Sequence, residues 1–270
     1  MSRPPRIEVA DGVYHIVARG NERRLVFGDS TDRARFLEIL ASVARRYRWR
    51  VLCYCLMGNH YHLIVKTLRP NLARGMRQLN GVYAQWFNHR RGRVGHLFQG
   101  RYKAVLVQTD NHLESSLRYV VRNPIRAGIA RRVNEWRWTS HNATVGATDA
   151  GVVAVADVLS YLGADAHTAR HRYLELVSAD HDLAAPTHPV IEGDDAFIDV
   201  HLAAIRASPE HPRACVLPRR PPLADLVSSR EDTAAIFCAH AEHGYSMRQL
   251  ATHLGCGVTT IHRRIRANEA

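Results

Sequence analysis

The run GNHYHLIVK, Gly58 to Lys66, carries two histidines two positions apart, His60 and His62. Its composition is that of a strand, and strand side chains alternate between faces, so both imidazoles share one face. Two neutral imidazoles placed like this can reach one divalent cation; structural hydrogen bonding would explain the pair equally well. Tyr61, Leu63 and Val65 take the opposite face, where a core is expected. The histidines are then left facing a substrate or another layer. A second polar set occurs in DNHLESSLRYVVRNP, where His112, Ser115 or Ser116, Tyr119 and Asn123 recur at intervals of three and four. They form a stripe opposite Leu113, Leu117, Val120 and Val121. Such a stripe is ordinarily a solvated helix face. Because this helix follows a strand, it can instead cross the sheet face that bears the histidines.

Charge narrows the partner. Residues 1–140 hold 26 Lys+Arg against 9 Asp+Glu, whereas residues 141–270 hold 11 against 16. No acid lies between Glu38 and Asp110, where 13 residues are basic. A solvated face normally mixes signs, so this bias points to a polyanion. The lack of nearby carboxylates also disfavours a carboxylate-rich hydrolase site. The bases are nearly all arginine, which suits forked contacts to phosphate and stacking on bases. Five scattered cysteines do not make a disulfide framework, and Cys53 and Cys55 read as small buried residues. With no signal pattern at the N-terminus and no long apolar run, the expectation is a cytoplasmic protein without a membrane partner.

The positioning elements follow from periodicity. GVYHIVARG reads as a strand and DSTDRARFLEILASVARRY as a helix capped by Asp29, Ser30 or Thr31. WRVLCYCLM and HYHLIVKT read as a hairpin turned at Gly58-Asn59. NLARGMRQLNGVYAQWFNHRR is a helix, RYKAVLVQT a fourth strand, and DNHLESSLRYVVRNP a helix capped by Asp110 or Asn111 and stopped by Pro124. The order β-α-β-β-α-β is that of a ferredoxin-like antiparallel sheet with helices on one face, the extra helix lying against it. The fold class is therefore α+β, followed by an all-α C-terminal region. Residues 1–145 are expected to form the catalytic domain and 146–228 a helical connection with proline-rich joints. Residues 229–270 are expected to form a helix-turn-helix, with Ser246 capping MRQLATHL, a glycine turn at 255–257, and a basic helix VTTIHRRIRA. Thr259, Thr260, Arg263 and Arg264 would meet duplex DNA there.

YCLMGNHYHLIV resembles the His-hydrophobic-His motif of the HUH nuclease superfamily. GHLFQGRYKAVLVQTDNHLESSLRYVVRNPIRAGI resembles the segment that carries the catalytic tyrosine in its transposase branch. YHIVARGNERRLVF and EWRWTSH fit as well. Together they are similar to the REP-associated tyrosine transposases, strongly over residues 5–145 and weakly over the next eighty. The resemblance implies the HUH nuclease fold, with His60 and His62 as ligands of Mg²⁺ or Mn²⁺, Asn123 as the third ligand and Tyr119 as nucleophile. Tyr61, between the histidines, departs mildly from the usual bulky hydrophobic residue. The implied chemistry is attack by a phenol on DNA, giving a 5′-phosphotyrosine and a free 3′-OH that can rejoin without ATP. His112 is a candidate proton acceptor.

The implied partner is single-stranded or hairpin DNA of REP-like repeats, held by a monomer. Phosphate contacts are expected from Arg19, Arg23, Arg24, Arg74, Arg77, Arg90, Arg91, Arg93, Arg101 and Lys103, and stacking from Trp86, Phe87 or Tyr102. Two other readings compete. One is a domesticated DNA-binding regulator that uses the C-terminal helices; the other is a two-histidine metallohydrolase that uses water.

Overall fold

The computed structural model describes residues 7–109, 111–179, 190–206, 222–229, 231–241, 245 and 247–267. The chain forms two compact units, residues 8–185 and residues 1–7 with 186–270. The expected boundary at residue 145 falls inside the first unit.

In that unit, strands β1 (Gly12–Arg19), β2 (Trp49–Leu56), β3 (His60–Thr67) and β4 (Lys103–Val107) pair in the order β2-β3-β1-β4, all antiparallel. Alternation divides the sheet sharply. Tyr14, Ile16, Ala18, Tyr61, Leu63 and Val65 are buried on one face. They meet the apolar sides of α1 (Ser30–Tyr47) and α2 (Leu72–Arg90), whose Phe36 and Tyr83 pack by their rings with Phe27, and Phe36 with Tyr61. The Tyr61 hydroxyl donates to Asn80 Oδ1 at 2.5 Å on this side, so the residue between the histidines belongs to the core. At the end of the sheet far from His60, Trp49 lies so close over Gly75 that a Cβ there would collide with its ring, which fixes how α2 crosses.

The other face carries Val13, Ile64, Cys53, Cys55 and Val107 and packs against α3 (Asn111–Arg126) through Leu113, Leu117, Val120 and Val121. The sheet is thus covered on both sides. Short helices α4 (His141–Thr144), α5 (Val155–Ser160) and α6 (Ala166–Ser178) extend this second core with Val158, Leu162, Ala169, Tyr173 and Val177. Arg122 on α3 donates to the carbonyls of Val177 and Ser178 at the end of α6, so α3 is held from its outer side too. The EWRWTSH segment covers the free edge of β2. Leu56 N–H donates to Trp138 O, Ser140 N–H to Tyr54 O, and Arg33 stacks over Trp136 and Trp138.

One local expectation is narrowed and another changes. Asp29 is the cap of α1, in a capping box with Asp32. Pro124 does not stop α3; the helix runs two residues further, to Arg126. A proline in the last turn forfeits a single backbone bond, to the carbonyl four residues earlier, and the remaining turn survives that loss. The proposed caps Asp110 and Ser246 lie outside the described residues, as does most of both proline-rich joints.

The second unit contains β5 (Ile191–Glu192), α7 (Asp195–Arg206), α8 (Leu223–Leu226), α9 (Thr233–Ala241), α10 (Met247–His253) and α11 (Val258–Ala267). Helices α8 to α11 enclose a small core of Val227, Ile236, Ala239, Leu250, Ile261 and Ile265. Among the described residues no helix is long and apolar enough to cross a membrane.

Candidate active site

Register places the chemistry. Opposite one another on the α3 face stand Arg19 and His60, then Val17 and His62, then His15 and Ile64. Lys103 pairs with Val17 from the other side and so shares the face and row of His62. Across this face runs α3, and Tyr119 descends onto it. The Tyr119 ring centroid is 5.6 Å from that of His62 and 5.7 Å from that of His15. The rings of His60 and His62 are 5.2 Å apart. Arg126, two turns after Tyr119, lays its guanidinium 4.7 Å from the centre of the phenol ring.

The imidazoles are held in place through their Nδ1 atoms. His60 Nδ1 is 2.7 Å from Asn59 Oδ1, and His62 Nδ1 is 3.0 Å from His15 Nε2. Both Nε2 atoms remain to meet a ligand. Burial holds all three rings neutral. Desolvation lowers His15 to about 4. Burial and then the charge of Arg19 lower His60 to about 4. Burial, with the positive fields of His15, His60, Arg19 and Arg126, puts His62 well below the ordinary imidazole value. His62 is only 4% exposed.

These shifts imply a pH dependence. An unfolded imidazole titrates near 6.5. Between that value and about 4 the unfolded chain takes up protons that the native site refuses, so native stability falls as pH falls through this window. The contribution is fully present above pH 6.5 and its loss levels off below about 4. Urea midpoints of the metal-free protein should decline across this range, and His15→Phe should make the decline shallower.

The residues that build this face lie in a stretch with known relatives. Residues 8–123 match the model of a family described as "Transposase IS200 like". Over that stretch the chain is similar to IS200-like transposases. The resemblance read from the His60–His62 strand and the Tyr119 helix is borne out at the level of that family. Among solved structures, a REP-associated tyrosine transposase bound to a REP hairpin is 16% identical, with TM-score 0.47, covering 54% of this chain and 86% of its own. A transposase from Deinococcus radiodurans R1 is 17% identical, with TM-score 0.32, covering 50% and 98%. No curated protein matches the chain.

The first unit brings His60, His62 and Tyr119 together. Asn123, the expected third ligand, stands one turn after Tyr119 with its Nδ2 donating to Tyr119 O at 2.8 Å; its Oδ1 is directed away from that bond. Among the described residues there is no group of three or more His, Cys, Asp or Glu placed for a metal ion. A cation here would rest on two imidazole Nε2 atoms and on oxygen donors, an arrangement open to Mn²⁺ and, less favourably, Mg²⁺.

The expected DNA-contacting residues separate into groups. Arg19 and Lys103 flank the histidine face. Arg23, Arg24, Arg91 and Arg93 line a depression of about 590 Å³ with Leu25, Gly28 and Phe87. Arg90 and Arg91 are committed to Asp29 and Asp32 at 2.5–2.9 Å, and Arg24 pairs with Glu22. Arg74 and Arg77 are on the first half of α2, across the sheet from Tyr119. Phe87 is 3% exposed, a core side chain unable to stack on a base, while Trp86 is half-buried beneath Arg90. His112 precedes Tyr119 by seven residues, about 10 Å along a helix, too far to take its proton directly.

Two site residues escaped the sequence reading, His15 and Arg126. For His15 the available signal was its odd position in GVYHIVAR, opposite in direction to Tyr14 and Ile16. Arg126 continues the helix stripe seven residues past Tyr119, beyond the proline expected to end it.

Proposed function

We propose that the protein is a tyrosine transposase that cleaves and rejoins single-stranded, hairpin-forming DNA of the REP-like kind, through a phosphotyrosine at Tyr119. The observation that carries this reading is a phenol against two neutral histidines on a basic face, in a stretch similar to IS200-like transposases. Tyr119 Oη attacks the scissile phosphorus, and the bond from phosphorus to the 3′-oxygen breaks. The phenolic proton ends on that oxygen, so the products are a 5′-phosphotyrosine and a 3′-OH. The phosphodiester is exchanged rather than hydrolysed, and a 3′-OH can return by the same path.

A divalent cation held by His60 and His62, with Asn123 Oδ1 as a further donor, would neutralise charge on the phosphoryl oxygens. The chain's own contribution is positional. The sheet fixes the imidazoles, α6 fixes α3, and Arg126 brings a cation beside the phenol where negative charge develops. Arg19 and Lys103 are placed to hold the backbone on either side. All of these groups come from one chain, so a monomer suffices. The test is incubation with Mn²⁺ and a labelled hairpin carrying a single-stranded flank, followed by a denaturing gel. A covalent protein–DNA band whose labelled peptide contains residue 119 is expected. Cleavage without any adduct would mean that water is the nucleophile.

A second activity is favoured by the C-terminal helices, whose turn contains Gly255 at φ +60°. On α11, Thr259, Arg263 and Arg266 are exposed on the side away from Ile261 and Ile265, which suits a duplex groove. Thr260 is half-buried, and Arg264 turns inward enough to bury its Nη1 without a hydrogen-bond partner. Arg263→Ala should weaken duplex binding by about tenfold while leaving adduct formation unchanged, as read by fluorescence anisotropy. Equal duplex affinity in the variant would remove this reading.

A further inference from the structure

We infer that Asn59 and His15 are positioning residues that lock His60 and His62 in the tautomer with the proton on Nδ1, keeping both Nε2 lone pairs for the cation. The inference deepens the proposed function and rests on its metal site. Its starting point is a bond that is unambiguous in direction. Asn59 Nδ2 is 3.1 Å from the Arg23 carbonyl oxygen, which can only accept. The amide nitrogen must therefore face Arg23, and Oδ1 faces His60 Nδ1 at 2.7 Å. An amide oxygen cannot donate, so His60 carries its proton on Nδ1.

The anchor itself is rigid. Arg23 O belongs to a turn in which Glu22 and Arg23 both adopt left-handed φ, 52° and 59°. The turn is tied by Gly20 N–H to Asn59 O at 2.8 Å and by Asn21 N–H to Leu97 O at 2.9 Å. A backbone conformation this uncommon for non-glycine residues persists only where its surroundings determine it. The turn that carries Arg23 and Arg24, and with them the arginine-lined depression, is thus joined to His60 by one side chain.

His62 is fixed by different means. Its Nδ1 faces His15 Nε2 at 3.0 Å, with the ring planes 29° apart and the centroids at 5.3 Å. One of these two nitrogens must donate and the other accept. If His62 donates from Nδ1, its Nε2 is a lone pair. If His15 donates, His62 has its proton on Nε2 and cannot bind a cation there. Free neutral imidazole prefers the proton on Nε2, so without an acceptor at Nδ1 both histidines would block their own metal-binding atom. Acceptors behind ligand histidines generally serve this purpose; for His60 it is an amide oxygen, and for His62 the inference assigns the accepting role to His15 Nε2.

The test uses the full chain. Nitrogen-15 NMR of the metal-free protein near pH 7.5 should show His60 and His62 protonated at Nδ1. A proton on Nε2 of either one overturns the inference whatever the variants do. Mn²⁺ titration by calorimetry should show about 10- to 100-fold weaker binding in Asn59→Ala and in His15→Phe. Asn59→Asp and His15→Gln, which restore an acceptor, should recover most of it. Loss in Asn59→Ala that Asn59→Asp does not recover would indicate a merely structural role and overturn the inference. Unchanged Mn²⁺ affinity in both truncations would do the same. Wild-type protein that binds no Mn²⁺ would instead refute the metal site of the proposed function, a failure distinct from a wrong tautomer.

Discussion

Tyr119→Phe is expected to abolish the covalent protein–DNA band and to lower strand cleavage by at least about 10³-fold, the scale on which loss of a nucleophile is felt. The substitution removes a single oxygen. The ring keeps its edge contacts with His15 and His62 and its place beneath Arg126, so the packing of α3 on the sheet is preserved. Hairpin affinity should therefore stay within about twofold, because positioning contacts to phosphate come from arginine and lysine rather than from the phenol. That split, binding retained and chemistry lost, is what a nucleophile predicts and what a structural tyrosine does not. Cleavage at the wild-type rate in the variant would make Tyr119 a bystander. Arg126→Ala offers the complementary case. It leaves the nucleophile in place, so any adduct should still form on Tyr119, only more slowly.

The face borne by His60 and His62 was legible from alternation alone, because apolar Tyr61, Leu63 and Val65 leave the imidazoles one direction. The span of nearly every element in the first unit was legible too, since caps and periods are local properties. What was not legible is what register decides. His15 lies 47 residues before His62 and reaches it only because β1 pairs with β3 in one of several possible alignments. Alternation in GVYHIVAR turns its histidine away from Tyr14 and Ile16, but does not say which of the 17 histidines in the chain it will meet. Arg126 was hidden by the expectation that Pro124 ends the helix. The basic run between Glu38 and Asp110 was read as a surface for DNA, yet part of it is neutralised within the fold by acids that precede it in sequence. Charge counted along a chain does not show which charges meet across it.

That neutralisation leads to the largest expected change in stability. Asp32 is 0% exposed, and its carboxylate accepts from the backbone N–H of Gly28 at 2.7 Å, from Arg90 Nη1 at 2.5 Å and from Arg91 Nη2 at 2.7 Å. It also completes the capping box of α1 by accepting from Asp29 N–H at 3.3 Å. Asp32→Ala leaves two guanidiniums with only the partly exposed Asp29 and strands two N–H groups at the helix start. Each stranded N–H costs about 1–3 kcal/mol, and the guanidiniums add little because water reaches them. Asp32→Asn keeps an acceptor for the N–H groups but not the charge, and should cost about 1–3 kcal/mol. Arg90→Ala or Arg91→Ala alone removes a one-third-exposed cation that water screens and should cost least. Urea denaturation of the four variants should rank them in that order. A loss under 1 kcal/mol for Asp32→Ala would mean that water screens the cluster, and would return Arg90 and Arg91 to the surface available to DNA.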